Sequence, residues 1–265
     1  MIKLKDILVE MALVPKVGGG ATDIEDVHPL SSVGSDWDEV LPTNSPIVHE
    51  FKRNGINIYA AYVFNEKKKN QSELKRKLRI AVKDTNNTSN IETISKLLNR
   101  KVVALKKKGI LNDIDFIIPL GSSSDFNSVM SDVISKQSTK AKVLDNFLVK
   151  SKWKNVEVVD LGENSKKGYE RAKSKLEYMQ DPKNGFSEED FQIKDVGGSQ
   201  SLRRYFRCFY HIPEGKIDII NDLIGKNILL IDDTFEEGVT MSDAQRVIGA
   251  TNPGKVQAFV FLYGN

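Results

Sequence analysis

The residues best suited to chemistry form one short run of acids, glycine and a hydroxyl group, Asp232-Asp233-Thr234-Phe235-Glu236-Glu237-Gly238-Val239-Thr240. The apolar stretch 227–231 before this run predicts a buried strand, and the stretch 239–249 after it predicts a helix. In an open α/β sheet, ligands bind at the carboxyl ends of strands, and a helix N-terminus offers free N–H groups to an anion. Paired carboxylates there can accept hydrogen bonds from a sugar diol or hold hydrated Mg²⁺. The run therefore predicts a ligand site, with an acidic loop that only caps a helix as the alternative.

The elements around this run predict the fold class. From residue 114 onward, short apolar strands alternate with helices, which is typical of a parallel sheet covered on both faces. We expect an α/β protein with a mostly parallel central sheet and helices on both faces. The predicted strands are 114–118, 142–147, 155–160, 227–231 and 256–262, and the predicted helices are 125–136, 166–180, 200–209 and 239–249.

The first hundred residues predict a different organisation. A helix is expected over 4–13, followed by an extended arm rich in glycine, serine and proline. Segments 47–52 and 57–64 flank Asn54-Gly55, a dipeptide typical of a tight hairpin turn. A further helix begins near Ser89 and ends at Gly109. We therefore divide the chain into an N-terminal helix and arm (1–46) and an α/β domain (47–265), with a probable insertion at 162–196.

Two segments resemble a known family. The run from strand 227–231 through Asp232-Asp233 to Gly238 and Thr240 is similar to the ribose-phosphate signature of type I phosphoribosyltransferases. The strand 114–118 followed by Pro119-Leu120-Gly121-Ser122-Ser123-Ser124 resembles the pyrophosphate loop of the same fold. The segment Gln200-Ser201-Leu202-Arg203-Arg204 resembles the branch named for the competence protein ComF. The resemblance covers residues 47–265.

The resemblance implies roles for individual residues. Asp232 and Asp233 would hold the ribose 2- and 3-hydroxyls and Mg²⁺, directly or through water. The backbone of Glu237, Gly238, Val239 and Thr240, with the Thr240 hydroxyl, would bind the 5-phosphate. Ser122, Ser123 and Ser124 would face pyrophosphate, and Arg203 and Arg204 would contact phosphate. The reaction implied is displacement at the ribose anomeric carbon, with phosphoribosyl pyrophosphate or a related ribose phosphate as donor and a nucleobase-like nitrogen acceptor.

Two glutamates depart from the family pattern. Glu237 stands where the family usually has threonine, and Glu236 adds another carboxylate. A carboxylate aimed at a phosphate costs on the order of 1 kcal/mol in water and more in a less polar site. Either the glutamates point outward, or a cation bridges them, or the ligand lacks the 5-phosphate. Glu236 also corresponds to a position where purine salvage members have an aspartate near the base, so it is the candidate catalytic base.

Other candidate groups are more simply explained as ordinary surface or core. Lys150, Lys152 and Lys154 around Trp153 could supply phosphate contacts and a stacking face for a base. Solvated surface is the simpler interpretation of these lysines, and of Arg203, Arg204 and Arg207. The three histidines and Cys208 show no zinc spacing. Tyr59, Tyr62 and Phe64 on the hairpin are expected in the core.

Charge and cysteine content bear on the setting of the protein. Residues 1–50 carry three basic and nine acidic side chains, whereas residues 51–110 carry sixteen and four. We assign most of the basic block to helix surface, with nucleic acid as a less favoured partner. With one cysteine, no intramolecular disulfide can form, and no apolar run approaches the roughly 20 residues of a membrane span. We expect a cytoplasmic protein that does not bind membranes.

The leading hypothesis is thus a phosphoribosyltransferase-like pentosyltransferase of nucleotide metabolism with Mg²⁺ as cofactor. One alternative is a catalytically degenerate protein of the same fold that docks nucleic acid or a protein partner. Another is a repurposed enzyme that uses the Asp pair on a different ribosyl or nucleotide substrate. The acceptor base and the oligomeric state stay open, and a homodimer is the assembly that the resemblance suggests.

Overall fold

The computed structural model describes residues 48–53, 55–64, 88–121, 125–162, 166–191, 196, 200–235 and 238–264. The predicted N-terminal helix and arm (1–46) lie outside these residues.

A six-stranded sheet forms the centre of the fold. Its strands are β1 (His49–Arg53), β2 (Ile56–Phe64), β3 (Phe116–Pro119), β4 (Lys142–Val143), β9 (Asn227–Phe235) and β10 (Lys255–Gly264). Their order across the sheet is β1-β2-β10-β9-β3-β4. Only the β1–β2 pair of this sheet is antiparallel, and the four other pairings are parallel. The predicted mixed α/β fold with a mostly parallel sheet is confirmed.

The hairpin at the edge of the sheet is also confirmed. In it His49 pairs with Ala60 and Arg53 with Ile56. Gly55 in the turn has φ +81°, a conformation that residues with a Cβ rarely adopt. The predicted core positions Tyr59 and Tyr62 are each 3% exposed.

Helices cover one face of the sheet. Helix α1 (Thr88–Lys107) and helix α2 (Phe126–Ser135) pack apolar side chains against Leu229 and Ile231 of β9. The buried helix residues include Leu98, Val102, Leu105, Phe126, Met130 and Ile134. Burial of such side chains contributes roughly 1.5–3 kcal/mol each before the cost of ordering the chain.

The opposite face carries helix α4 (Val239–Gly249) and the long segment between β4 and β9. This segment, residues 144–226, contains helix α3 (Lys166–Gln180), which was predicted at the same residues. It also contains two short antiparallel pairs outside the main sheet, β5 (Val149–Lys150) with β8 (Tyr210–His211), and β6 (Glu157–Val158) with β7 (Phe206–Arg207). The predicted insertion 162–196 lies within residues 144–226, which we call the inserted segment.

Three predictions of secondary structure need correction. The strand predicted at 155–160 is the two-residue strand β6, which pairs with β7 and not with the main sheet. The strand predicted at 142–147 ends at Val143, the last residue paired with β3. The helix predicted at 200–209 is a 3₁₀ helix, Gln200–Tyr205, followed by β7. Aromatic packing explains the last difference, since Phe206 and Phe209 both pack with Phe191 in the core of the segment.

The other 3₁₀ helices in the described ranges are Ile110–Asn112, Trp153–Asn155, Pro182–Asn184 and Glu214–Leu223.

One lysine of the basic block is buried in the core. Lys101 on α1 is 2% exposed, and its Nζ lies 4.9 Å from the centre of the Tyr62 ring. Burial lowers the pKa of Lys101 to about 8. The assignment of this block to solvated helix surface therefore does not hold at Lys101.

No helix in the described ranges is both long and apolar enough to cross a bilayer.

The packing of α3 against the 200–205 helix generates a stability prediction. A Cβ at Gly168 would lie 2.4 Å from the Tyr205 hydroxyl oxygen, closer than real contacts allow. We expect Gly168→Ala to lower the free energy of unfolding by about 1–3 kcal/mol, measured by denaturant titration.

Gly249→Ala is the matched control, because it also lies in a helix and a Cβ there would meet no atom within 4 Å. This control should be neutral or more stable by up to about 1 kcal/mol. Equal stability of the two variants would show that Gly168 is not required for the α3 contact.

Candidate functional site

The candidate site lies where β3 and β9 end side by side. The two strands are parallel, and Pro119 pairs with Ile231. One residue further on, the Leu120 N–H donates to the Ile231 carbonyl at 2.9 Å. Gly121 therefore leaves the sheet beside Asp232, which stays in β9.

Strand β9 continues beyond its predicted end at Ile231. It runs through the Asp pair to Phe235, because Asp232 pairs with Val260 and Thr234 with Leu262 of β10. The end of the strand is held by a ring stack in which Tyr263 lies between Phe51, at 4.0 Å, and Phe235, at 5.0 Å. The acids are thus attached to a rigid strand and not to a loop.

Asp232 is half-buried, and polar groups lie next to its carboxylate. Its Oδ1 accepts the Asp233 N–H at 2.9 Å and lies 3.5 Å from the Asn127 amide nitrogen. Burial is the main cause that raises the pKa of Asp232 well above its ordinary value, and the Asp233 charge adds to it. Ionisation of the carboxylate in this position is therefore costly.

Asn127 connects Asp232 to the neighbouring loop. It lies on α2 and is 2% exposed, and its amide nitrogen also donates to the Leu120 carbonyl at 2.7 Å. Its Oδ1 has no hydrogen-bond partner within the described part of the chain. A buried acceptor without a partner is uncommon and is one sign of a site adapted to a ligand or ion.

The inserted segment lies on the side of the candidate site opposite Asn127. Tyr210 of β8 is 3% exposed, and its hydroxyl donates to the Gly121 carbonyl at 3.3 Å. Burial and the nearby charges of Asp232, Asp233 and Asp243 raise the pKa of Tyr210 well above its ordinary value. The hydroxyl therefore stays protonated and acts as a donor.

Asp243 fixes the position of Tyr210. This residue of α4 is 2% exposed, and its carboxylate accepts the backbone N–H groups of Cys208, at 3.0 Å, and Tyr210, at 2.9 Å. It also accepts the Arg246 Nε–H at 3.0 Å. Cys208 has φ +63°, an uncommon conformation for a residue with a side chain. Helix α4, which follows the acidic run, is thereby attached to the strand that carries Tyr210.

The start of α4 is the place where the resemblance implies a site for the 5-phosphate. Gly238 is its N-terminal flanking residue, with φ +72°, and a Cβ there would lie 2.5 Å from the Phe235 ring. Val239 packs against the core, and Thr240 is half-buried. The predicted residues Glu236, Glu237, Ser122, Ser123 and Ser124 lie outside the described residues.

The other predicted basic and aromatic groups have different surroundings. Arg204 stacks over the Tyr205 ring at 5.1 Å, and with Arg203 it belongs to the 3₁₀ helix that packs on α3. Trp153 is fully buried against Phe191, so it cannot act as a stacking face for a base. Lys152 and Lys154 form ion pairs with Asp190 and Glu188.

Sequence reasoning missed Asn127, Tyr210 and Asp243. Asn127 has only an amide at the start of a helix to suggest a role, and Asp243 is one of several charges on α4. Tyr210 lies in a segment whose predicted secondary structure was partly wrong. A polar residue at a core-facing position of a predicted helix is the signal by which Asn127 and Asp243 could have been found.

Comparison with known proteins gives a distant structural likeness. No protein-family model and no curated protein match the chain. Among solved structures, the chain is similar to the hypoxanthine phosphoribosyl transferase of Trypanosoma cruzi, with 12% sequence identity and a TM-score of 0.31. The match covers 65% of this chain and 64% of that enzyme, so it spans less than two thirds of the enzyme's length. A TM-score of 0.31 is too low to assign a role to any residue of the site.

The enclosure of Asp232 generates a prediction about pH and stability. An acid whose pKa is raised in the folded protein costs nothing below its unfolded pKa of about 4, and stability is lost as pH rises through the folded pKa. Asp232→Asn keeps the Oδ1 acceptor and removes the charge. We expect this variant to unfold with a free energy about 1–3 kcal/mol higher than the unsubstituted protein at pH 7, with little difference near pH 4.

The measurement is denaturant unfolding at the two pH values, with the exposed Asp222→Asn as the control. A loss of stability at pH 7, or a gain of the same size at both pH values, would contradict burial of the acid as the cause.

Proposed function

We propose that the protein is a phosphoribosyltransferase-like enzyme. It binds phosphoribosyl pyrophosphate, or a related ribose phosphate, with Mg²⁺ at the carboxyl ends of β3 and β9. It transfers the ribosyl group to or from a nucleobase-like nitrogen acceptor in the cytoplasm.

One observation carries this proposal. The Asp232-Asp233 pair lies in β9 just beyond the end of the neighbouring strand β3, the chain then enters α4 through Gly238 at φ +72°, and Gly121 of the loop after β3 lies beside the acids. A sugar diol would find carboxylate acceptors at the strand end. A phosphate would find free N–H groups at the start of the adjacent helix.

The reaction assigned to these residues is displacement at the anomeric carbon. The bond from this carbon to the pyrophosphate oxygen breaks, the bond to the acceptor nitrogen forms, and the sugar becomes oxocarbenium-like in between. The protein's part is to hold donor and acceptor in line and to exclude water. Asp232 and Asp233 would hold the 2- and 3-hydroxyls, and Glu236 is the candidate base for the acceptor.

The residues present fit a magnesium ion. Mg²⁺ prefers oxygen ligands and is usually held by one or two carboxylates together with substrate phosphates. Asp232 and Asp233 supply such oxygens, and the acceptor Oδ1 of Asn127 lies unpartnered nearby within the described part of the chain. When bound, the ion would neutralise charge on the departing pyrophosphate. No group of three or more His, Cys, Asp or Glu residues that could hold a metal ion gathers in the described ranges, at this site or elsewhere, so the two carboxylates would share the ion with the Asn127 oxygen and substrate phosphates.

The proposal predicts that donor binding requires the Asp pair. In isothermal titration, the unsubstituted protein should bind phosphoribosyl pyrophosphate in the presence of Mg²⁺. The Asp232→Asn/Asp233→Asn variant should lose at least about 100-fold in affinity, because two hydrogen bonds to charged groups are worth roughly 1.5–3 kcal/mol each.

Asp222→Asn is the control and should bind as the unsubstituted protein does. Equal affinity of the double variant, or absence of binding by the unsubstituted protein, would overturn the proposal. Binding without any transfer to a panel of nucleobases would favour the degenerate binding protein instead.

A further inference from the structure

The inserted segment presents two side chains toward the candidate site. In the antiparallel pair β5–β8, Lys150 is the direct partner of Tyr210. Directly opposed residues of an antiparallel pair project their side chains from the same face. Lys150 and Tyr210 therefore extend side by side.

Both side chains reach the loop that follows β3. A Cβ added to Gly121 would lie 3.9 Å from Lys150 Cγ and 3.9 Å from Tyr210 Cε1. The Tyr210 hydroxyl also donates to the Gly121 carbonyl at 3.3 Å. The pair thus packs directly on Gly121 of the segment that resembles a pyrophosphate loop.

The same two residues also lie within electrostatic reach of the Asp pair. The positive charge of Lys150 lowers the pKa of Asp232, opposing the effect of burial. The charges of Asp232 and Asp233 in turn raise the pKa of Tyr210. Geometry gives the same placement, because Gly121 follows Leu120, whose N–H donates to the carbonyl of Ile231, the residue before Asp232.

A ribose donor that carries a pyrophosphate group needs a positive charge on the side of the site formed by Lys150 and Tyr210. The Asp pair would repel its phosphates, so the anion requires positive charge opposite the acids. A lysine ammonium is a compact charge that suits phosphate. Lys152 and Lys154 form ion pairs with Asp190 and Glu188 at the surface, whereas the Lys150 side chain packs against Gly121 at the site.

Building on the proposed function, we propose that Lys150 binds the pyrophosphate group of the ribose donor and that Tyr210 is a positioning residue that holds the Gly121 backbone beside it. The inserted segment would then supply part of the anion site, in addition to any role in choosing the acceptor.

The test compares three ligands, two that contain a pyrophosphate group and one that lacks it. Isothermal titration with Mg²⁺ is performed with inorganic pyrophosphate, phosphoribosyl pyrophosphate and ribose 5-phosphate. Lys150→Gln should weaken both pyrophosphate ligands at least about 10-fold and leave ribose 5-phosphate within about twofold. Lys150→Arg should recover most of the affinity. Lys183→Gln, an exposed change on the same segment, should alter none of the three.

Tyr210→Phe keeps the ring and removes the hydroxyl. It should weaken both pyrophosphate ligands about 3- to 10-fold at a temperature where the variant is fully folded, with ribose 5-phosphate unchanged. An equal loss for all three ligands in either variant would indicate general structural damage and overturn the proposal.

The outcomes separate this inference from the proposed function. Binding of phosphoribosyl pyrophosphate that does not depend on Lys150 would overturn the inference alone. Lys150-dependent binding of inorganic pyrophosphate, without binding of phosphoribosyl pyrophosphate, would support the inference and overturn the proposed function. Binding of none of the three would overturn both.

Discussion

The structure depends on one constraint, which is that both faces of the central sheet are covered. Helices α1 and α2 bury one face, and α4 with the inserted segment buries the other. The carboxyl ends of β3 and β9 are the place where polar groups from both layers meet. Asp232 lies at this meeting point, with Asn127 of α2 on one side and the charge of Lys150 from β5 on the other. The position of every other group in the candidate site follows from this arrangement.

Burial of an acid has a cost that a ligand can offset. Asp232 accepts hydrogen bonds, yet its surroundings and the second carboxylate of Asp233 disfavour its charge. A cation or a ligand rich in donors would stabilise the charged form, so part of the binding free energy would come from relief of this cost. A site that is destabilising when empty and satisfied when filled is a common compromise between stability and function.

The elements that carry the Asp pair were predictable from local pattern. The apolar run before Asp232, the helix at 239–249 and the hairpin around Gly55 are all present in the structure. The extension of β9 to Phe235 was not predictable locally, because it depends on pairing with β10 and on the stack with Tyr263. The same holds for Asn127, Tyr210 and Asp243, whose roles arise from contacts between residues 105, 89 and 33 positions apart. Periodicity reports which face of an element is buried, whereas such polar contacts depend on the tertiary arrangement.

The most direct test of the central claim is a crystal structure of the protein with Mg²⁺ and a non-reactive analogue of phosphoribosyl pyrophosphate. We predict that the ribose hydroxyls lie within hydrogen-bond distance of the Asp232 and Asp233 carboxylates, with the 5-phosphate at the start of α4. An analogue bound elsewhere, with no part of it in contact with Asp232, would contradict the account.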